Sequence, residues 1–317
     1  MTEKKLSLGG LEANAKTDGN CCVSSISKNT DRRGTTYLEM TLVDGKAKAK
    51  VKCFDSFIVA TLLNVWEKSH KPFVVHMYVE NRPYNGVASY VATSVYATDT
   101  CTVDDFIFSY DVECTRDMLM SFLKNNLTPE WLSVVDKLID VQINETECVA
   151  DRFFVEFAAR ANHDACRGGL AAHTLKMLNI CKAMVDNDKR LTPYAGLLYT
   201  GIFAHDIGKV EEYRDGETIP GTYQTHRVLA LDYLASCKSF IVEKVGAENY
   251  HRLQSIVLTH HHEFGAPCDT LWAFLVHLID MLDTYAVMGL DTIESPTALT
   301  GHGSDKCLMC GDHRLYI

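Results

Sequence analysis

The feature that most constrains this chain is a helix-length apolar run, PYAGLLYTGIFA, that leads directly into His205 and Asp206. An ionised carboxylate at the end of such a run is costly to bury unless it is paired or binds a cation. The same problem recurs at Asp280, which lies inside the apolar segment FLVHLIDML. The fold must therefore bring both carboxylates to partners from other segments.

Histidines from neighbouring segments can supply those partners, because they recur at intervals of about one helix plus one loop. Imidazoles mixed with carboxylates form a site that suits Mn, Fe, Co, Zn, Ni or Mg better than a structural zinc cage does. Seven side chains are enough for two ions if one carboxylate bridges them. The candidate ligands are His173, His205, Asp206, His226, His260, His261 and Asp280, with His262 and Asp283 as further candidates.

A site of this kind predicts phosphoester hydrolysis. Two ions about 3.5–4 Å apart can activate a shared hydroxide and stabilise the charge that builds on phosphorus during in-line attack. Lys209 follows Asp206 by one helical turn and could neutralise phosphate oxygens. We therefore predict Asp206 and Lys209 as the catalytic pair, with two divalent cations as cofactors and manganese as the first choice.

The first hundred residues predict a different architecture. From Thr17 to Thr98 short alternating apolar runs are separated by turn residues, and the helical segment SFIVATLLNVWEKS follows the third run. Five strands with a helix between the third and fourth indicate an all-β OB-fold barrel, a fold that commonly binds single-stranded nucleic acid by stacking and backbone charge. The predicted contacts are Arg32, Arg33, Tyr37, Lys50 and Phe54.

The distribution of charge along the sequence supports the same division into a nucleic-acid-binding part and a metal-binding part. Residues 1–98 contain 13 Lys and Arg against 9 Asp and Glu, whereas residues 99–317 contain 18 against 32. A basic front end joined to an acidic body favours a polyanion-binding module next to a cation-binding domain. We therefore expect single-stranded RNA as the partner, with single-stranded DNA as a second substrate.

The chain divides into a leader (1–16), the OB domain (17–98), a connector with helices (99–150), an all-α body (151–290) and a tail (291–317). Helical periodicity is also predicted for CVADRFFVEFAARAN. In the tail, Cys307 and Cys310 have the CxxC spacing of a zinc site, but the same residues alternate like a β-hairpin. The sequence leaves these two alternatives open.

Neither a secretory signal nor an uninterrupted apolar stretch of about 18 residues is evident, so we expect a cytoplasmic protein with no membrane partner. The twelve cysteines are scattered, which favours buried thiols over disulfides. Oligomeric state cannot be read from the sequence, and a homo-oligomer remains open.

The order H…HD…D, formed by His173, His205-Asp206 and Asp280, resembles the signature of the HD-domain phosphohydrolases, which are all-helical metal enzymes. That resemblance implies a first ion held by His173, His205, Asp206 and Asp280. It implies a second ion held by Asp206, His226, His260 and His261. The triple histidine at 260–262 leaves the register of the last two ligands open.

Together with an N-terminal OB-fold, the motifs ANHDACRGGLAAHT, GIFAHDIGKVEEY, LTHHHEFGAP and HLIDMLDTY are similar to the YhaM-type 3′→5′ exoribonucleases. The resemblance implies that Asn162, His163 and Arg167 border the mouth of the active site and that Lys209 contacts phosphate. Asp164 departs from the pattern, because a second histidine is usual at that position.

The function that these features predict is metal-dependent 3′→5′ exonucleolytic hydrolysis of single-stranded RNA to nucleoside 5′-monophosphates. One alternative is an HD phosphohydrolase of free nucleotides or cyclic dinucleotides, and another is a non-catalytic single-strand-binding protein. The polarity of digestion and the preference for RNA come from the resemblance alone, since nothing in the sequence reports a contact with a 2′-hydroxyl.

Overall fold

The computed structural model describes residues 4–31, 34–44, 47–69, 71–159, 163–214, 217–219, 221–262, 265–294, 307–310 and 313–316. The chain forms two compact units. One contains Met1–Phe108 with Gly289–Ile317, and the other contains Ser109–Met288.

The first unit contains a closed five-stranded barrel in the strand order β1-β2-β3-β5-β4. Strands β3 and β5 pair in parallel, whereas the other neighbours in the barrel are antiparallel. The elements are β1 Lys16–Thr30, β2 Thr36–Asp44, β3 Ala47–Cys53, α1 Ser56–Ser69, β4 Phe73–Asn81 and β5 Tyr90–Ala97. The predicted OB-type barrel, with its helix between the third and fourth strands, is confirmed.

Alternation along the strands separates the core of the barrel from its outer face. Leu38, Met40 and Leu42 on β2 are fully buried, and β3 places Cys53 opposite Leu38 and Val51 opposite Met40. Successive side chains of a strand point to opposite faces. The residues that alternate with these three, namely Tyr37, Glu39 and Thr41, therefore lie on the outer face.

The segment predicted as a leader is part of the barrel. Leu6 donates its backbone N–H to the carbonyl of Asn20 at 2.9 Å, and Asn20 donates to Lys4 at 2.9 Å. The side chains of Leu6 and Leu8 are 2% and 0% exposed. A Cβ on Gly19 would lie 2.5 Å from the backbone nitrogen of Leu6, so this close approach requires glycine.

The second unit is helical. Its helices are α2 Val112–Asn126, α3 Pro129–Ile139, α4 Val149–Phe153, α5 Gly169–Asn187, α6 Ala195–Ala204, α7 Lys209–Glu212, α8 His226–Ser236, α9 Lys238–Val245, α10 Ala247–Thr259 and α11, which covers Leu271–Glu294. A 3₁₀ turn occurs at Lys189–Tyr194, and a short ribbon pairs β6 Tyr213–Arg214 with β7 Glu217–Thr218. As predicted, Pro129 occupies the first turn of α3 directly after Thr128.

Helix α6 lies at the centre of this unit. It packs against α3, α5 and α10, and its residues from Leu197 to Ala204 are all buried. Gly201 permits the close approach of α10, since a Cβ there would lie 2.6 Å from Ile256 Cδ1. The apolar run identified in the sequence is therefore a core helix, and its C-terminal end is held in the interior.

Helix α11 corrects one expectation. Leu271–Leu290 is long and apolar enough to cross a membrane by length and composition, although no such stretch was predicted. Within it, His277 and Asp283 are buried and Asp280 is half-buried. A core helix of a water-exposed domain passes the same test, and these three polar side chains belong to the cluster described below.

Two further elements bear on the sequence-based predictions. The helix predicted for CVADRFFVEFAARAN is shorter than expected, because α4 ends at Phe153 and the chain turns back before α5. The tail forms the predicted hairpin of β8 Cys307–Cys310 and β9 His313–Tyr316. The side chains of Cys307 and Cys310 lie outside the described residues, so the alternative of a zinc site is untested.

Candidate metal centre

The predicted ligands come from five helices, and most of them lie at a helix end. His205 is the C-cap of α6, His260 is the C-cap of α10, and His226 is the first residue of α8. His173 lies in the second turn of α5, and Asp280 lies in the middle of α11. Side chains separated by more than 100 positions in the sequence thus meet at one place.

Two close backbone approaches hold these helix ends together. A Cβ on Gly169, at the start of α5, would lie 2.0 Å from the carbonyl oxygen of Asp164. A Cβ on Gly208, just before α7, would lie 2.0 Å from the carbonyl oxygen of His226. Only glycine fits at either position without a shift of the neighbouring backbone.

Asp206 is the shared member of the cluster. Its Oδ1 lies 3.4 Å from His226 Nε2 and 3.7 Å from His260 Nε2, while its Oδ2 lies 3.2 Å from His205 Nε2. Among the described residues, ligand atoms lie within 4.8 Å of one another in four sets. These are Asp206 with His226, His260 and His261; His173 with His205 and Asp206; His163 with His173 and Asp280; and Asp164 with His173 and Asp283. Because Asp206 belongs to the first two sets, it can bridge two cations.

Backbone carbonyls orient two of the histidines. The Nδ1–H of His205 donates to the carbonyl of Ile202 at 2.6 Å, and the Nδ1–H of His260 donates to the carbonyl of Val257 at 3.0 Å. A carbonyl oxygen can only accept, so each Nδ1 must carry the proton. Each Nε2 therefore keeps its lone pair, which is the form that binds a metal.

Carboxylates orient two more histidines in the same way. His173 Nδ1 lies 2.7 Å from Asp283 Oδ2, and His226 Nδ1 lies 2.6 Å from Glu212 Oε2. Glu212 also accepts the backbone N–H of His226 at 2.9 Å. Carboxylate–histidine pairs of this kind fix the ring orientation of metal ligands and increase their basicity.

Four ligand atoms that face the cluster have no hydrogen-bond partner in the part of the chain that the structure describes. Among the described residues, His173 Nε2, His205 Nε2, His260 Nε2 and Asp206 Oδ1 are all buried without one. Asp280 Oδ1 lies 3.3 Å from His173 Nε2 but does not satisfy it. Such groups are costly to leave unpaired in a protein interior. The donor set, its tautomers and its unsatisfied atoms therefore fit a divalent-metal site.

The electrostatics of the cluster agree with a metal site. Burial lowers the pKa of His261 to about 4 and that of His260 well below its ordinary value, so both rings are neutral near pH 7. Burial would raise the pKa of Asp206, but Lys209 and His205 hold it well below its usual range. His173 differs, because Asp280 and Asp283 outweigh its burial and raise its pKa to about 9. A cation at His173 Nε2 would replace that proton.

Lys209 is buried next to Asp206. Its Nζ lies 2.5 Å from Asp206 Oδ2 and 2.5 Å from the carbonyl oxygen of Ala158. Burial opposes the charged form, but Asp206 raises the pKa of Lys209 above its ordinary value, so the ammonium stays protonated. The predicted contact with substrate phosphate remains a prediction.

The other candidates are placed differently. His262 lies apart from the ligand sets, and its Nδ1 accepts the backbone N–H of Cys268 at 3.1 Å. His163 is buried, and its Nε2 lies 3.2 Å from Thr284 Oγ1. Arg167 is exposed, and Asn162 lies outside the described residues. Asp283 faces the Nδ1 side of His173, which is the side away from the Nε2 lone pair.

The outer face of the barrel carries three of the predicted nucleic-acid contacts. The rings of Tyr37 and Phe54 stack with their centroids 5.0 Å apart, and Phe54 is 42% exposed. Lys50 is exposed and pairs with Glu39 at 2.7 Å. The predicted residues Arg32 and Arg33 lie outside the described residues. Tyr37 and Phe54 thus form an aromatic platform, which is the feature that single-strand-binding barrels use.

Sequence reasoning missed several residues that support the ligands. Glu212 orients His226, and His277 donates from Nδ1 to the carbonyl of His260 at 2.7 Å. A signal existed for Glu212, which follows Lys209 by one helical turn. For His277 the signal was its position three residues before Asp280 in an apolar helix.

Comparison with known proteins agrees with these observations. Residues 170–285 match the model of the HD domain. The chain is 25% identical over 284 residues to the 3′-5′ exoribonuclease YhaM of Bacillus pumilus, covering 84% of each protein. It is 33% identical over 134 residues to YhaM of Bacillus subtilis, covering 40% of this chain and 41% of that protein.

Among solved structures, the mitochondrial single-stranded DNA-binding protein Rim1 of S. cerevisiae matches 29% of this chain and 96% of its own, with 13% identity and a TM-score of 0.23. That likeness adds nothing to the barrel topology described above. The match to the HD domain covers every residue of the two ligand sets that share Asp206. The chain therefore contains an HD domain at residues 170–285, and its predicted likeness to the YhaM-type exoribonucleases is confirmed.

Proposed function

We propose that the chain is a metal-dependent 3′→5′ exoribonuclease that hydrolyses single-stranded RNA to nucleoside 5′-monophosphates and accepts single-stranded DNA as a second substrate. The observation that carries the proposal is the buried carboxylate of Asp206, whose Oδ1 has no hydrogen-bond partner among the described residues. Imidazole Nε2 atoms from three other helices converge on it. The relatives named above support the reaction type and its polarity.

Two divalent ions, with manganese as the first choice, account for the donor set. The first ion would be held by His173, His205, Asp206 and Asp280, and the second by Asp206, His226, His260 and His261. Nitrogen and oxygen donors in this mixture accept several first-row divalent metals, so availability decides which of them is bound. The tautomers of His173, His205, His226 and His260 support the allocation, because each presents Nε2 to the cluster.

When bound, such an ion pair lowers the pKa of water and offsets the charge that builds on phosphorus. The chain supplies the rest of the site. Lys209 holds a buried positive charge beside Asp206, and we assign it to a phosphate oxygen of the substrate. Asn162, His163 and Arg167 precede α5, and we assign them to the mouth of the site.

The barrel supplies the grip on the strand. Stacking on an aromatic side chain contributes about 1–3 kcal/mol per base and depends little on sequence. We assign Phe54, Tyr37 and Lys50 to this role, with Arg32 and Arg33 as additional backbone contacts. No disulfide joins the ten cysteines that the structure describes, which supports a reducing location such as the cytoplasm.

The proposal is tested with a 5′-labelled single-stranded RNA, Mn²⁺ and purified protein. A second substrate has a blocked 3′ end. Asp206→Asn keeps the shape of the bridging ligand but removes its charge, and His251→Ala serves as the control because His251 is an exposed histidine of α10. We expect a descending ladder with the wild type and with His251→Ala, and none with the blocked RNA or with Asp206→Asn.

Other outcomes would contradict the proposal in distinct ways. Shortening of the blocked RNA would refute the polarity. Intact RNA together with hydrolysis of mononucleotides or cyclic dinucleotides would show a nucleotide phosphohydrolase. Strand binding without turnover under several metals would show a non-catalytic binder. Circular dichroism of Asp206→Asn separates loss of activity from loss of the fold.

A further inference from the structure

A buried polar chain lies behind His173, on the side away from its metal-facing Nε2. Asp283 Oδ2 accepts from His173 Nδ1 at 2.7 Å, and the same oxygen lies 3.2 Å from Lys176 Nζ. Lys176 follows His173 by three positions, so both side chains lie on one face of α5. One carboxylate oxygen therefore contacts both the imidazole and the ammonium.

The same series of polar side-chain contacts continues from Lys176 to Asp164, whose side chain is fully buried. Asp164 Oδ2 lies 2.6 Å from Lys176 Nζ, and Asp164 Oδ1 accepts from the hydroxyl of Tyr110 at 2.6 Å. The Asp164 backbone has φ +50°, a left-handed conformation that aspartate tolerates better than most residues other than glycine and asparagine. Its carbonyl is held by the N–H groups of Ala158 and Cys166 at 3.2 and 2.9 Å.

The charges of these contacting side chains are complementary, because one ammonium lies between two carboxylates. Two buried carboxylates, Asp164 and Asp283, would repel each other if Lys176 did not lie between them. The ammonium is only half-buried, so it also shields the pair from the solvent side. With both contacts made, Asp283 cannot turn away from His173 without losing its ammonium partner.

We propose that Lys176 and Asp164 are positioning residues that act through Asp283. Asp164 anchors the ammonium, the ammonium holds Asp283 Oδ2, and Asp283 keeps the proton of His173 on Nδ1 so that Nε2 faces the cation. This inference rests on the metal centre of the proposed function. The proposal thereby gives a role to Asp164, at a position where the YhaM-type pattern usually has a histidine.

A purely structural role predicts a different result, and the sign of the electrostatic effect separates the two. Removal of a positive charge near a cation site should by itself strengthen cation binding. Loss of the positioning contact should weaken it, by about 10–100-fold for a partner that orients a ligand histidine. Weaker binding after removal of Lys176 therefore reports positioning.

The test compares Lys176→Met with Lys182→Met. Both lysines lie on α5 and both pair with an aspartate, but Lys182 pairs with Asp186 at 2.6 Å on the surface. Mn²⁺ binding is titrated calorimetrically without RNA, and apo stability is measured by urea denaturation. We expect about 10–100-fold weaker binding of one of the two ions in Lys176→Met and unchanged binding in Lys182→Met. Unchanged or tighter binding in Lys176→Met would overturn the proposal, whatever its stability.

A second measurement keeps the proposal falsifiable if Lys176→Met fails to fold. The wild-type protein is loaded with Zn²⁺, which is diamagnetic, and its ¹⁵N-labelled histidines are observed by NMR. We expect His173 to carry its proton on Nδ1, and Asp283→Asn to shift that resonance and weaken one ion. A proton on Nε2 of His173 in the loaded wild type would overturn the proposal. Neither readout depends on exonuclease activity, so failure of the proposed function would be recognised separately.

Discussion

Replacement of Gly208 by alanine should damage one half of the metal centre. Gly208 has an ordinary helical φ of −69°, so the substitution adds no backbone strain. Its new Cβ would lie 2.0 Å from the carbonyl oxygen of His226 and 2.8 Å from the nitrogen of Ala230, both in α8. These atoms are backbone and cannot rotate away, so α7 and α8 must separate.

The size of that separation follows from the distances. An ordinary contact begins near 3.4 Å, so the pair must part by 3.4 minus 2.0, or about 1.4 Å. Metal–ligand distances tolerate only about 0.2 Å, and a misplacement of about 1 Å in an active site can cost about 100-fold in rate. His226 is the ligand that moves. We expect one of two ions to be lost, with about 1–3 kcal/mol of destabilisation from overpacking.

The assay counts bound Mn²⁺ by elemental analysis after gel filtration and measures stability by urea denaturation. Gly201→Ala is the matched control, because the nearest atoms to its Cβ belong to the side chain of Ile256, and the close one, the terminal Cδ1 at 2.6 Å, can move. We expect the control to keep both ions. Two ions bound to Gly208→Ala with wild-type affinity would refute the close approach of α7 and α8 as the element that sets the position of His226.

Four further changes test other parts of the structure. His261→Ala should remove one ion, because His261 belongs to the ligand set of Asp206. His262→Asn should keep both ions, since His262 lies outside the sets and asparagine tolerates its φ of +45°. The reverse result in metal counting would make His262, and not His261, the ligand. The pKa of His173 is raised from 6.5 to about 9, so the stability that its protonated ring gives the metal-free fold is complete below pH 6.5 and is lost as the pH rises to about 9. Urea denaturation in EDTA should show the free energy of unfolding fall by up to about 3 kcal/mol over this range. A free energy of unfolding that does not change with pH would contradict the prediction. Leu8→Ala should destabilise the barrel by about 2–5 kcal/mol in thermal or urea denaturation, because Leu8 is fully buried. A change below about 0.5 kcal/mol would show that residues 4–8 do not contribute to the barrel core. Phe54→Ala should weaken capture of long strands more than turnover of very short ones, and equal losses on both would remove the gripping role of the barrel.

Periodicity predicted most of the architecture because it records which side of an element is buried. The alternation along β2 and the helix after β3 were sufficient for the barrel. The segment at residues 4–8 was missed because it contains only two buried leucines and forms only an isolated β-bridge, between Lys5 and Asn20, instead of a strand. The apolar residues after Phe153 were predicted to be helical, but they are buried in turns instead, and burial alone does not distinguish a helix from a compact loop.

The residues that meet in the candidate site could be selected from the sequence because carboxylates and histidines rarely occur inside apolar helices unless they are paired or bind a cation. The residues behind them could not, since a lysine within a helix and a tyrosine just before one are also common on ordinary protein surfaces. Lys176 and Tyr110 acquire their importance from hydrogen bonds across 12 and 54 positions, which no local pattern contains. The positive φ of Asp164 was equally invisible, because aspartate occurs freely in turns.

Helices α6 and α10 both end on candidate ligands of the candidate metal centre, at His205 and His260. The peptide dipoles of a helix sum to roughly half a negative charge at its C-terminus. Two macrodipoles therefore direct their negative ends toward the place where the cations would bind, one from a helix of 10 residues and one from a helix of 13. The backbone itself thus adds to the cation affinity of the site, and mutation of side chains leaves that part of the attraction in place.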